Sequence, residues 1–157
     1  MELYLLRHGI AEDGRPGLAD GERALTVEGK EKLRRVLKRA RVRPSLIISS
    51  PYQRALETAA LAAEACNYEG KIVHTDALLP EASPVATWDE IRARRDESAV
   101  LLCGHQPHMS SMAAFLLDSP ALEVDMKKAA LVRIDCERIG ARPGGVLKWM
   151  LTPAVAE

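Results

Sequence analysis

This chain of 157 residues carries no excess charge of either sign: 22 lysines and arginines balance 22 aspartates and glutamates. No global field therefore draws it to nucleic acid or to an acidic membrane, and neither is expected as a partner. An anion site, if present, must be built by local placement. The chain also lacks an apolar run near the roughly 18 residues that suggest a membrane span; "MAAFLL" at 112–117 is far shorter. Its N-terminus has Glu2 and reaches Arg7 early, unlike a secretory signal, so a cytoplasmic location is expected. Only three cysteines occur, Cys66, Cys103 and Cys136, isolated and odd in number. They form neither a zinc-ligand pattern nor a disulfide framework, and read as buried thiols in a reducing compartment. No internal repeat, low-complexity tract or interdomain linker divides the chain. A single domain over 1–157 is expected, long enough to bury its own core.

What is present is alternation. Short apolar runs at Glu2–Arg7, 45–50, 71–75 and 99–105 are separated by segments of helical period, which predicts an α/β layered domain. Thr26 reads as a helix N-cap with Glu28 in the first turn, followed by Leu33, Val36, Leu37 and Ala40 on one face. Ser50-Pro51 and Ser83-Pro84 each read as N-cap plus first helical residue. Pro107 can open another helix through Leu117. "AVLLCGH" at 99–105 is near-continuously apolar, as a strand buried on both faces should be. "AALVRIDC" and "GVLKWML" read as a terminal hairpin-like pair.

Three of these elements meet chemically unusual residues. The first strand ends in Arg7-His8-Gly9, the second feeds a helix whose first turn presents Arg54, and the fourth ends in Gly104-His105. Ligands of open α/β sheets bind outside the carboxyl ends of the strands. If strands one, two and four are neighbours, two arginines and two histidines converge in one crevice. Arginine supplies a planar fork of donors suited to phosphate oxygens. A neutral imidazole is available as a nucleophile near pH 7, and its attack on phosphorus would give a phosphohistidine intermediate. The second histidine can stabilise charge on the equatorial oxygens. Gly9 is expected to let the backbone approach the ligand closely.

"LLRHG", "LTVEG" at 25–29, "SSPYQRALETA" and "LLCGHQP", in this order, resemble the histidine phosphatase superfamily, and in particular its short SixA-like branch of phosphohistidine phosphatases. The resemblance spans nearly the whole chain. It implies a three-layer α/β/α sandwich with a mostly parallel central sheet, like that of phosphoglycerate mutase. It implies His8 as nucleophile and Arg7, Arg54 and His105 as the phosphate pocket, without metal or other cofactor. Arg23 is a further candidate for reaching the phosphate or a phosphorylated partner. Glu81 in "LLPEAS" occupies the position of the general acid found in larger members, and Glu12 and Asp13 are weaker candidates. After Arg-His-Gly those members carry a small polar residue and, a little further on, an asparagine. Here Ile10-Ala11-Glu12-Asp13 follows, as in SixA-like chains, which together with the short length disfavours a sugar-phosphate mutase.

The implied substrate is phosphohistidine on a signalling or phosphotransfer protein, handled by a monomer. The alternative is a small phosphomonoester, with Glu81 protonating the leaving group. A phospho-recognition module without turnover is a third possibility, disfavoured by the intact His8. Elsewhere, "RRVLKRARVR" at 34–43 holds six basic residues in ten and reads as a solvated helix face with cations at its C-terminus. His108 is expected in the first turn after Pro107, near the pocket rim, and His74 in mid-strand with a structural role.

Overall fold

The computed structural model describes all residues, Met1–Glu157. Six strands form one sheet: β1 (Glu2–Arg7), β2 (Leu46–Ser49), β3 (Ile72–His74), β4 (Ala99–Gly104), β5 (Leu131–Asp135) and β6 (Val146–Leu151). Their order is β3-β2-β4-β1-β5-β6. The first four are mutually parallel, and β5 and β6 add an antiparallel edge. The helices are α1 (Val27–Ala40), α2 (Gln53–Ala65), α3 (Pro84–Arg92) and α4 (His108–Leu116).

Alternation along the strands divides the interior into two apolar layers. Tyr4, Leu6, Ile47, Leu101 and Cys103 pack with α1 and α2 through Leu33, Val36, Leu37, Ala59 and Ala62. Leu3, Leu5, Ile48, Val100 and Leu102 point the other way, onto Trp88 and Ile91 of α3 and Met109 and Met112 of α4. The result is the α/β/α sandwich. All six residues of β4 are buried, as its unbroken apolar run requires. The three cysteines are buried free thiols, and burial raises the pKa of each.

Local signals explain most helix starts. Thr26 accepts a hydrogen bond from the Gly29 amide, and Ser83 from the Val85 amide ahead of Pro84 at the first helical position. Ser50 behaves differently from its predicted capping role: α2 begins three residues later, at Gln53. Its hydroxyl instead accepts from the Tyr52 amide at 3.2 Å and contacts His105. The chain thus makes a serine turn before the helix begins. His74 also departs from expectation: it closes β3 and is exposed, because β3 is an edge strand of only three residues.

Two glycines set how closely the first loop lies on α1. A Cβ at Gly29 would collide with the Ile10 carbonyl oxygen, and one at Gly9 would lie 2.6 Å from Leu33 Cδ1. Gly9 therefore lets the first loop pack closely on α1.

Candidate active site

Strand register creates the site. Arg7 of β1 lies opposite Gly104 of β4, so the next residues, His8 and His105, emerge side by side. Their ring centroids are 5.1 Å apart. On the other side of β4, Ser49 of β2 lies opposite Cys103, which brings Ser50 and the approach to α2 to the same sheet end. β4 sits between β1 and β2, so the three strands are neighbours as the convergence of residues required. A cleft of about 290 Å³ opens there, lined by Arg7, His8, Ala11, Asp20, Arg23, Arg54, Pro80, His105, Gln106 and Lys128.

His8 is 6% exposed and is held on both faces of its backbone by Gly104 and Ala129. Its Nδ1 lies 2.6 Å from the Gly9 carbonyl oxygen. A carbonyl only accepts, so Nδ1 carries the proton and Nε2 carries the lone pair. Arg54 Nε–H points at that lone pair from 3.4 Å. Burial, reinforced by Arg54, Arg7 and Lys128, lowers the His8 pKa to about 4 against the opposing Gly9 contact. The imidazole is therefore neutral near pH 7, and its unprotonated Nε2 accepts only the long contact from Arg54 at the cleft.

Arg54, in the first turn of α2, is 4% exposed. It donates through Nη1 to the Asp20 carbonyl at 2.7 Å and through Nη2 to the Asp20 carboxylate at 3.1 Å. The same carboxylate accepts from Arg23 Nε at 2.9 Å. Burial alone would raise the Asp20 pKa, but these bonds outweigh it and hold the carboxyl below its usual range. Thr58 ties α2 to the first loop: it accepts from the Gly9 amide and donates to the Arg54 carbonyl. Arg7 donates through Nη1 to the Met126 carbonyl at 2.8 Å. His105 is 1% exposed, and burial, with His8 and Arg54 adding, lowers its pKa to about 3. The cleft is walled by cationic groups, which suits an anion rather than a metal ion. No three His, Cys, Asp or Glu side chains gather as a metal-holding group, in the cleft or outside it.

The branch 1 family model of the histidine phosphatase superfamily matches residues 3–83. The chain belongs to the histidine phosphatase superfamily. An uncharacterized protein of Picosynechococcus is 30% identical, the alignment covering 96% of this chain and 99% of that protein. Among solved structures, the protein histidine phosphatase SixA complexed with tungstate is similar with a TM-score of 0.84 at 21% identity, covering all of both chains. A phosphohistidine phosphatase assignment also attaches to the SixA structure from Agrobacterium tumefaciens, similar at 0.82 with 27% identity and 97% of each chain covered. The fold extends to other phosphatases: the mycobacterial glucosyl-3-phosphoglycerate phosphatase gives 0.70 at 17% identity, with 94% of this chain and 96% of that one covered.

As a histidine phosphatase fold, the structure brings Arg7, His8, Arg23, Arg54 and His105 into one cleft. Glu81 does not line it. Its side chain is exposed, one residue beyond Pro80, which does. Glu12 is engaged away from the cleft, bonded to Arg15 and to the Ala24 amide, and Asp13 is exposed. His108 is not at the rim either; it is buried behind the cleft, 2.7 Å from Thr87 of α3. Asp20, Lys128, Gln106 and Ser50 were not anticipated. Gln106 follows His105 directly, and Asp20 sits three residues before Arg23, a spacing that could have suggested their pairing. Lys128 had no local signal, since only the placement of β5 beside β1 brings its loop to the site.

Proposed function

We propose that this histidine phosphatase hydrolyses phosphohistidine on a protein through a phospho-His8 intermediate, without a metal ion. The observation that carries the reading is the pairing of an available nucleophile with a missing acid. His8 presents a lone pair at Nε2 within a ring of cationic groups. The one carboxylate lining that ring, Asp20, is held ionised by Arg23 and Arg54 and is a poor proton donor near pH 7.

The leaving group then decides the substrate class. An alkoxide resembles hydroxide, whose conjugate acid has a pKa of roughly 15.7, and departs poorly unless protonated. Imidazole has a conjugate acid near about 6.5 and departs from a ring-protonated phosphohistidine without a dedicated acid. In the first step His8 Nε2 attacks phosphorus, a new N–P bond forms, and the bond to the substrate imidazole breaks. In the second, water attacks phosphorus, the bond to His8 breaks, and phosphate leaves with the proton surrendered to solvent. Arg7, Arg54 and Arg23 bind the non-bridging oxygens, and His105 donates to them as charge builds. These fixed charges fill the place a metal ion would have in neutralising the phosphoryl group.

One observation favours a second reading, hydrolysis of small phosphomonoesters. Pro80 lines the cleft, and Glu81, the next residue, is an exposed carboxylate that can serve as the proton donor to a leaving oxygen. The two readings separate in one comparison. Turnover of a phosphohistidine protein and of an alkyl phosphomonoester is measured in EDTA for the parent and for Glu81→Gln. The proposal expects turnover of the phosphohistidine protein that the substitution leaves within about threefold, since no acid step is removed. Fast ester hydrolysis that falls about 100-fold in Glu81→Gln would establish the second reading instead.

A further inference from the structure

Phosphoryl transfer as just described leaves one buried polar contact at the site without a role. Ser50 has no exposed surface, and its Oγ lies 2.7 Å from His105 Nε2. A hydroxyl has one hydrogen to give and two lone pairs to receive with. One lone pair accepts the Tyr52 amide hydrogen at 3.2 Å. His105 Nε2 is the other partner of this oxygen.

Only two arrangements of hydrogens are then available to a neutral His105. If Nε2 carried the proton, it would donate to Ser50, and the serine hydrogen would be buried with no acceptor. Nδ1 would meanwhile turn a bare lone pair toward its surroundings, unfavourable next to a phosphoryl oxygen. If Ser50 donates to Nε2 instead, the hydroxyl is fully used and the ring proton must sit on Nδ1. Nδ1 has no partner within the protein, although the ring is almost wholly buried and lines the cleft. A buried donor without an acceptor in the wall of an anion cleft is matched by an oxygen of the anion.

We propose that Ser50 is a positioning residue: its hydroxyl donates to Nε2 of His105, fixing the tautomer that presents Nδ1–H to the phosphoryl group. This rests on the phosphatase reading above for its catalytic consequence, but not for the tautomer itself. The low basicity of His105 is consistent with it, because a ring that stays neutral has a tautomer to choose. The backbone around Ser50 supports the same role. The turn over Ser50-Pro51-Tyr52 aims the hydroxyl, and the Tyr52 ring stands edge-on to His105 at 5.2 Å. The two histidines are thus set by opposite devices. In His8 a carbonyl acceptor puts the proton on Nδ1 and leaves the lone pair on Nε2, the nitrogen that attacks. In His105 a hydroxyl donor takes Nε2 and leaves Nδ1–H to bind.

The test is the nitrogen NMR spectrum of histidine-labelled protein, which reports the tautomer directly. The wild type is expected to show a protonated Nδ1 and a pyridine-type Nε2 for His105, with the Nδ1 signal shifting when inorganic phosphate is added. In Ser50→Ala the ring is expected to become a mixture of tautomers, and the phosphate-induced shift to shrink. Turnover is expected to lose about 10- to 100-fold in kcat with a smaller change in KM, the size typical of partners that orient a functional ligand. Ser50→Thr, which keeps the hydroxyl, is expected to restore the Nδ1-protonated spectrum and most of kcat. An Nε2-protonated His105 in the wild type would overturn the proposal whatever the variants do. So would a Ser50→Ala protein with wild-type spectrum and kcat. If the wild type showed the expected tautomer but hydrolysed no phosphorylated substrate, the phosphatase reading would fail and the assignment of Ser50 would stand.

Discussion

The chain has two arginine-rich poles, and they do opposite things with the same side chain. At the carboxyl ends of β1, β2 and β4, Arg54 is almost wholly buried, with Nη1 and Nη2 on Asp20 and Nε aimed at His8. At the other end of α1, Arg34, Arg35, Lys38, Arg39, Arg41 and Arg43 are all exposed. Their only acidic contact is between Arg35 and Glu157, itself at the surface. The sequence run 34–43 is the denser in charge, yet its cations are exposed to solvent, and only Arg35 and Arg43 hold a partner, Glu157 and the Cys66 carbonyl. The difference lies in preorganisation. A guanidinium already desolvated and fixed in direction gives an anion more than several exposed ones in water. Zero net charge is compatible with an anion site for this reason.

The largest effect that would sharpen this contrast is on Arg54. Arg54→Ala is expected to lower kcat/KM by about 100- to 1,000-fold, the cost of removing a principal transition-state donor. Arg54→Lys keeps the charge and loses the fork, so most of that loss should remain. A lysine variant near wild-type activity would show that charge alone suffices and would erase the distinction between the poles.

Next in size is the response to acid. His8, His105 and His108 have pKa values lowered by burial to about 4, 3 and 4. In the unfolded chain each would titrate near about 6.5. Between those values the unfolded state binds more protons, so stability falls as pH falls, from its full value above about 6.5. The expected loss between pH 7 and pH 4.5 is on the order of a few kcal/mol, measured by denaturant titration at several pH values. In the free enzyme the acid limb of kcat/KM, which needs neutral His8, should lie well below pH 6.5. A limb at pH 6.5 and a flat stability profile would show that the site is far more hydrated than its burial implies.

The smallest expected effect is at the basic pole. Replacing Lys38, Arg39 and Arg41 together with glutamine should leave kcat/KM within about twofold, because solvated charges at that distance are largely screened. A large loss would make the exposed run part of substrate recognition.

Much of this arrangement could be read from the chain, where the signals are local. The ends of β1 and β4, the Thr26 cap and the Ser83-Pro84 start each depend on neighbouring residues only. The convergence of Arg7, His8, Arg54 and His105 needed one further fact, that β4 lies between β1 and β2. What escaped depends on contacts distant in sequence. Ser50 looked like a helix cap because serine before proline is one locally, and its bond to His105 spans 55 positions. Lys128 and the Met126 carbonyl reach the site only because β5 pairs antiparallel with β1. Asp20 opens a short 3-10 turn in a stretch without periodicity; its spacing to Arg23 hints at that pair, but its grip on Arg54 spans 34 positions and leaves no local pattern. Glu81 is suggested by resemblance alone, and its side chain is exposed outside the cleft lining.

The central claim is that His8 takes the phosphoryl group. Brief mixing with a radiolabelled phosphohistidine protein, followed by alkaline quench, should trap label on the wild-type enzyme as an acid-labile, base-stable adduct that maps to His8. His8→Ala should show neither adduct nor turnover. Turnover retained in His8→Ala, or a label that maps elsewhere, would contradict the account.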